Sequence, residues 1–239
     1  MMDFSVRFDG KEIMDGPEKV PGSYERAYRD ISRCNAMLGG HKANLKEVKK
    51  LINRNIKESY TIWDLGSGDG STLAYLSKHL KNGKKSYTFQ GFDLSALSVE
   101  VARRNYAHDE RLQFHQQDIL KMSTENKPDI ILCNLTLHHF TDEEAKILLK
   151  TLVERVELGV LINDLERHPW AYRLFKVFSS VFIRTQIAKT DGLISIRRAF
   201  HLQEFKQWAL EIPQALHRIR KQPLFRLIWV LEPLKPSKN

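Results

Sequence analysis

Two adjacent histidines, His138-His139, stand just after the apolar run Asp129–Asn134. Imidazole titrates near neutrality, so a histidine at the end of a strand suits proton transfer with a phenol or hydroxyl. Asp164 closes the next apolar run. It can orient a histidine or act as a base itself. Adjacent side chains usually diverge, so one histidine of the pair is expected to face a ligand. No metal is expected, because no third ligand stands at a helpful spacing. A second cluster is rich in glycine: Asp64-Leu65-Gly66-Ser67-Gly68-Asp69-Gly70. It follows a β-rich run and opens a helical one, which is the context of a nucleotide loop. It contains no GxxxxGK[ST], and Ser71 stands where GxGxxG counted from Gly66 needs Gly or Ala. Arg167, His168, Arg197 and Arg198 are cations able to orient an acidic ligand.

The elements that position these residues alternate. Helices are expected at Tyr24–Leu38 and Lys42–Ile56, with Gly39-Gly40 between them. Strands follow at Ser59–Leu65, Ser86–Phe92, Leu112–Gln116, Asp129–Asn134 and Val160–Ile162. Between them lie helices at Ser71–Leu80 (closed by Asn82-Gly83), Ser95–Ala107 and Ala145–Val156. Thr141 followed by Asp142-Glu143-Glu144 is an N-cap with acids in the first turn. Alternation of this kind implies a parallel sheet with right-handed crossovers. After Asp164 it stops. A long aromatic helical stretch over 167–190 is expected to end at Gly192, with extended chain at Ile194–Phe200 and a helix at His201–Leu210. Ala215–Lys221 and Leu224–Leu231 read as a hairpin around Gln222-Pro223. The organisation is thus an N-terminal helical cap over 1–57 and a sheet domain over 58–239, with a lid insertion at 165–200.

The segment Asp64-Leu65-Gly66-Ser67-Gly68-Asp69-Gly70, a DxGxGxG at the end of a first strand, resembles the first motif of class I S-adenosylmethionine-dependent methyltransferases. The resemblance runs from about Tyr60 to Leu231. It implies an α/β, Rossmann-like sheet in the order 3-2-1-4-5-7-6, with strand 7 antiparallel. It also implies S-adenosylmethionine as cofactor. Gly66, Ser67, Gly68 and Gly70 would admit its methionine part, and Asp64 would hold its ammonium group. Asp93, with Leu94 beside it, would take the ribose hydroxyls, and Asp118 with Ile119 would face the adenine. Asn134 ends the fourth strand. The physics is consistent, since a sulfonium and an ammonium favour carboxylates, and ligands of open α/β sheets sit beyond the carboxyl ends of the strands.

Asn134 through Phe140 is similar to the same segment in small-molecule methyltransferases of the ubiquinone/menaquinone type. Asn163-Asp164-Leu165 and Ser195–Phe200 resemble bacterial methyltransferases of polyketide and pigment biosynthesis. The acceptor implied is small, hydrophobic and hydroxyl-bearing, aromatic or polyketide-derived. Trp170, Phe175 and Phe178 would wall its pocket, Arg198 would orient it, and His138 or His139 with Asp164 would form the floor. Alternatives are carbon methylation of a quinone or pigment precursor, a nucleic-acid or protein methyltransferase, and a non-catalytic cofactor-binding scaffold.

The chain has 239 residues, 42% of them apolar and 28% charged, so a disordered or low-complexity chain is excluded. Its net charge is +9, concentrated after residue 150, where 15 Lys and Arg face 8 Asp and Glu. Such a surface can draw an anionic partner or a membrane surface. Nucleic acid is disfavoured, because Asn134-Leu135-Thr136-Leu137 offers no aromatic to stack a flipped base. Two distant cysteines and an N-terminus without an apolar core suggest a cytoplasmic protein without a secretory signal.

Overall fold

The computed structural model describes residues 2–20, 22–81, 85–122 and 127–234. Asn82-Gly83, expected to close the third helix, lies outside them. The helices are α1 (Ser23–Met37), α2 (Gly40–Asn53), α3 (Ser71–His79), α4 (Ala96–Tyr106), α5 (Asp142–Glu154), α6 (Pro169–Phe182), α7 (Gln186–Arg198) and α8 (Leu202–Leu210). The strands are β1 (Ser59–Leu65), β2 (Ser86–Asp93), β3 (Leu112–Gln116), β4 (Ile130–Asn134), β5 (Gly159–Leu165), β6 (Ala215–Gln222) and β7 (Arg226–Pro233). They form one sheet in the order β3-β2-β1-β4-β5-β7-β6, with β7 antiparallel to both neighbours, as the sequence led one to expect.

Strand alternation sorts the core into two layers. Tyr60, Ile62, Ile130, Leu132, Leu161, Ile228 and Val230 face one way, toward Val48, Leu51 and Ile52 of α2 and Leu73 and Leu76 of α3. Trp63, Leu65, Ile131, Cys133, Val160, Ile162 and Trp229 face the other way, toward α5 and α8. The cap helix α2 therefore shares the core of the sheet.

Near the carboxyl ends the same alternation continues with polar residues. Asp64, Asn134 and Asn163 continue the first of these layers along their strands, and so does Arg226 where β7 begins. Asn44 of α2 donates to Asn134 Oδ1 (3.0 Å) and accepts from Asn163 Nδ2 (2.7 Å). Arg226 donates to Asn163 Oδ1 (3.3 Å) and to Asn35 Oδ1 (2.6 Å) of α1. Hydrogen bonds among buried amides thus dock both cap helices over the strand ends.

Three expectations fail. Strand β5 runs on to Leu165, so Asn163 and Asp164 pair with β7 within the strand and do not follow it. Residues 194–198, expected to be extended, complete helix α7. Gly192 does not end a helix: it lies inside α7, and a side-chain carbon there would stand 2.3 Å from the Phe175 ring of α6. Its missing side chain is a packing notch. The break in the helical stretch falls at Ile183–Thr185, where Asp30 of α1 accepts from the amides of Arg184 (2.9 Å) and Thr185 (2.7 Å).

Ahead of the two cap helices, described residues 2–20 form an extended strap with a 3-10 turn at Ile13–Asp15. The amide of Phe8 donates to Arg197 O (3.1 Å), and Arg167 Nε donates to Phe4 O (3.0 Å). Asp191 accepts from the amides of Ile13 (2.7 Å) and Met14 (3.1 Å).

Candidate active site

The glycine loop is built by backbone conformation. Gly66, Gly68 and Gly70 have φ of 72°, 53° and 78°, a region that side chains disfavour. Gly66 also lies against Thr136, whose side chain would be 2.4 Å from an added carbon. The amides of Gly66 (2.8 Å) and Ser67 (3.0 Å) donate to Phe92 O. Asp93 accepts from Gly68 N (2.8 Å) and Ser95 N (2.9 Å), tying the loop to the end of β2.

Asp64 lies under this loop, 1% exposed, and its Oδ1 has no hydrogen-bond partner. Burial, with the negative charge of Asp93 adding to it, holds its carboxyl well above the usual carboxylate range. The Ser67 hydroxyl is likewise unpartnered. Buried polar groups are ordinarily satisfied, so these two atoms have bonding capacity left over beside the loop. Asp118 caps a short turn by accepting from Leu120 N (3.0 Å) and pairs with Lys121 (3.3 Å). Leu94 is 69% exposed beside Asp93. Tyr28 of α1 comes close to Asp93 and Ser95; burial and the Asp93 charge push its phenol up to about 12.

The second cluster assembles on the opposite face of the sheet ends. His138 is 2% exposed, and its Nδ1 lies 2.7 Å from Asp164 Oδ1. Burial lowers its pKa, but the charge and hydrogen bond of Asp164, reinforced by Glu12, raise it on balance to about 9. The two carboxylates thus favour the protonated imidazole. His139 is more open, with Nδ1 3.1 Å from Asp15 Oδ1. The pair does not diverge as expected. Both sit in a 3-10 turn, Leu137–His139, with rings 4.5 Å apart and tilted by 30°.

Arg198, expected to orient an acceptor, directs its guanidinium to backbone carbonyls. It donates to the carbonyls of His138 (3.0 Å), His139 (2.6 Å) and Gly10 (2.9 Å) and so braces the turn. Arg7 donates to His138 O and Phe140 O, both at 3.0 Å, and pairs with Asp142. Arg167 is fully buried in a pair with Glu204 (2.6 Å). Trp170, Phe175 and Phe178 do not share one wall. Trp170 is turned to solvent, whereas Phe175 and Phe178 pack against the small cluster of Ala27, Ile183 and Ala188. Glu12, Asp15 and Arg7 escaped the sequence reading, because acids and a base scattered through a mixed N-terminal segment carry no spacing signal.

The fold has parallels among known proteins. Residues 62–159 match the family described as "Methyltransferase domain". A carboxy-S-adenosyl-L-methionine synthase from Desulfotalea psychrophila is 32% identical over 95 residues, 38% of this chain and 38% of that protein. A ribosomal protein L11 methyltransferase from Dictyoglomus thermophilum is 32% identical over 131 residues, 53% of this chain and 38% of that protein. The chain thus spans well under half the length of the curated relatives it matches. Among solved structures, a plantazolicin methyltransferase in complex with a triazolic desmethylPZN analog and SAH superposes with a TM-score of 0.67 at 15% identity, over 89% of this chain and 91% of that one. Magnesium protoporphyrin IX methyltransferase from Synechocystis PCC 6803, with bound SAH, gives 0.56 at 15% identity, over 92% and 90%. The chain has the fold of these methyltransferase structures, and its residues 62–159 match a methyltransferase domain.

Proposed function

We propose that the chain transfers a methyl group from S-adenosylmethionine to a small hydrophobic acceptor, at a hydroxyl oxygen. The observation that carries the reading is Asp64, a buried and unpartnered carboxylate beneath three left-handed glycines at the end of β1. A cationic ligand compensates such a group, whereas a pyrophosphate would repel it. The amides and hydroxyl of Gly66–Gly70 would take the methionine part. Asp93 would take the ribose, and Leu94, Asp118 and Ile119 the adenine. That the two solved neighbours named above hold SAH supports the same ligand here.

The acceptor would approach from the side of His139, the more open histidine of the pair, with Asp164 fixing His138 behind it. Transfer from a sulfonium needs in-line positioning above all, so an acceptor pocket of modest polarity suffices. Among the described residues no helix is long and apolar enough to cross a membrane, and Cys34 and Cys133 are free. Both are consistent with a cytoplasmic small-molecule enzyme. The same plantazolicin and porphyrin parallels favour a small acceptor over nucleic acid.

The test is methyl transfer from labelled S-adenosylmethionine to a panel of phenols and hydroxylated polyketides, with bulk tRNA in parallel. Labelled methyl ethers from the panel are expected. Label in tRNA alone, or no binding of S-adenosylmethionine by calorimetry, would overturn the reading.

A further inference from the structure

Glu12, His138 and His139 form a cluster whose ligand-type atoms all lie within 4.8 Å of one another. Glu12 Oε1 is 3.4 Å from His138 Nε2, and Glu12 Oε2 is 4.0 Å from His139 Nε2. Two ligands on one tetrahedral zinc ion, each bonded at about 2.0–2.1 Å, stand roughly 3.4 Å apart. The cluster is therefore near the size of a coordination shell before any ion is added.

The outer partners point the same way. Each histidine presents Nδ1 to its own carboxylate, His138 to Asp164 (2.7 Å) and His139 to Asp15 (3.1 Å). A carboxylate at Nδ1 accepts the proton there and leaves Nε2 as the lone-pair donor, the arrangement that orients histidine on a metal. Both Nε2 atoms then converge on an ionised carboxylate, so something electropositive must lie between them. Either protons fill that role or one divalent cation does. Glu12 is fixed in place by the Ser195 hydroxyl, which donates to Oε1 at 2.6 Å. The histidine carbonyls are held by Arg198 and Arg7. Ligands so braced are preorganised, and the cost of ordering them is met by the fold.

We propose that Glu12, His138 and His139 bind a first-row divalent cation, zinc by donor set, with a coordination position left for water or a ligand oxygen. Two histidines and one glutamate are a known donor set for zinc sites that keep an open position. Asp15 and Asp164 act as positioning residues through the Nδ1 atoms. The metal-binding claim stands without the methyl-transfer reading, and its test uses no acceptor.

The purified full chain, stripped with chelator and reloaded, is titrated with Zn2+ against a chromophoric competitor, and with Co2+ followed by its visible d–d absorption. One tight equivalent is expected. Glu12→Gln and His139→Ala should each weaken it by about 100-fold, and Asp15→Asn by about 10–100-fold. His79→Ala, in α3 away from the cluster, should leave it unchanged. In Asp15→Asn the Co2+ spectrum should shift while the melting temperature stays in place, which separates positioning of the metal from support of the fold. Should Glu12→Gln fail to fold, the wild-type Co2+ complex still reports its coordination number and its histidine ligands by paramagnetically shifted imidazole proton signals. Absence of a tight equivalent, or equal affinities in wild type and the His139→Ala variant, would overturn the proposal and leave protons as what the two histidines share with Glu12.

Discussion

Asp93 holds the glycine loop and in the proposed reading would also take the ribose, which makes it an informative single residue. Its carboxylate already binds the amides of Gly68 and Ser95 and so holds the loop on which the cofactor reading depends. Charge-assisted hydrogen bonds of this kind contribute about 1.5–3 kcal/mol each. Asp93→Ala should weaken binding of S-adenosylhomocysteine by about that amount in calorimetry; unchanged affinity would contradict the placement of the ribose. His41 supports a second residue-scale prediction. It is buried, its ring stacks on Tyr75 at 5.4 Å, and its Nδ1 is unpartnered. Burial, aided by the positive charge of Arg226, lowers its pKa to about 4. Above the ordinary value near 6.5 the imidazole is neutral in both states, and stability owes nothing to pH through it. Between about 6.5 and 4 the unfolded chain binds a proton that the folded chain refuses, so stability falls as pH falls, by up to about 3 kcal/mol. In His41→Gln the melting temperature should drop less steeply than wild type over that range. Parallel curves would show that His41 does not titrate as its burial implies.

The elements differ in how plainly the sequence announces them. The alternating strands β1 to β4 were legible almost to the residue, because buried parallel strands are short apolar runs bounded by turn residues. The glycine loop was legible for the same reason that it is strained, since only glycine suits its φ values. The α6–α7 region was misread. Gly192 looks like a helix stop in one dimension, but it serves the contact with Phe175, which only the tertiary fold reveals. The true break at Ile183–Thr185 is capped by Asp30 from another helix, and no local residue marks it. Gly192→Val should overpack this contact and destabilise the protein by about 1–3 kcal/mol in denaturant titration. Phe175→Ala in the same chain should recover part of that loss. If the two changes are simply additive, α6 and α7 do not meet through this notch.

At the scale of the whole molecule, the candidate site joins parts of the chain far apart in sequence. His138 follows β4, Asp164 lies in β5, Arg198 ends α7, and Glu12 comes from the strap. The sequence displayed the first two because strand ends can be located. It concealed the strap, whose side chains acquire meaning only through Arg167, Asp191 and Arg198. Arg167 binds the carbonyls of Phe4 and Ser5, and it bonds Ala199 and Glu204. Removing one partner of a buried ionic network costs about 3–5 kcal/mol. Arg167→Met should therefore lower stability on that scale and speed amide hydrogen exchange of residues 4–14, measured by mass spectrometry. Unaltered exchange there would mean that the strap is held by its other contacts alone.

The strap also gives the site a history. Phe8 and Arg7 are made before their partners Arg197 and Arg198, which come almost two hundred residues later. At translation rates of roughly 5–20 residues per second, Phe8 waits on the order of 10–40 s for its partner Arg197. The βα units of the sheet can form in that interval, since their contacts are closer in sequence. Glu12 can join the histidines only afterwards. The order of birth along the chain thus leaves this polar cluster to be braced last, because Ser195 and Arg198 lie in α7, and a nascent chain stalled before α7 would carry a finished glycine loop beside an unbraced histidine pair.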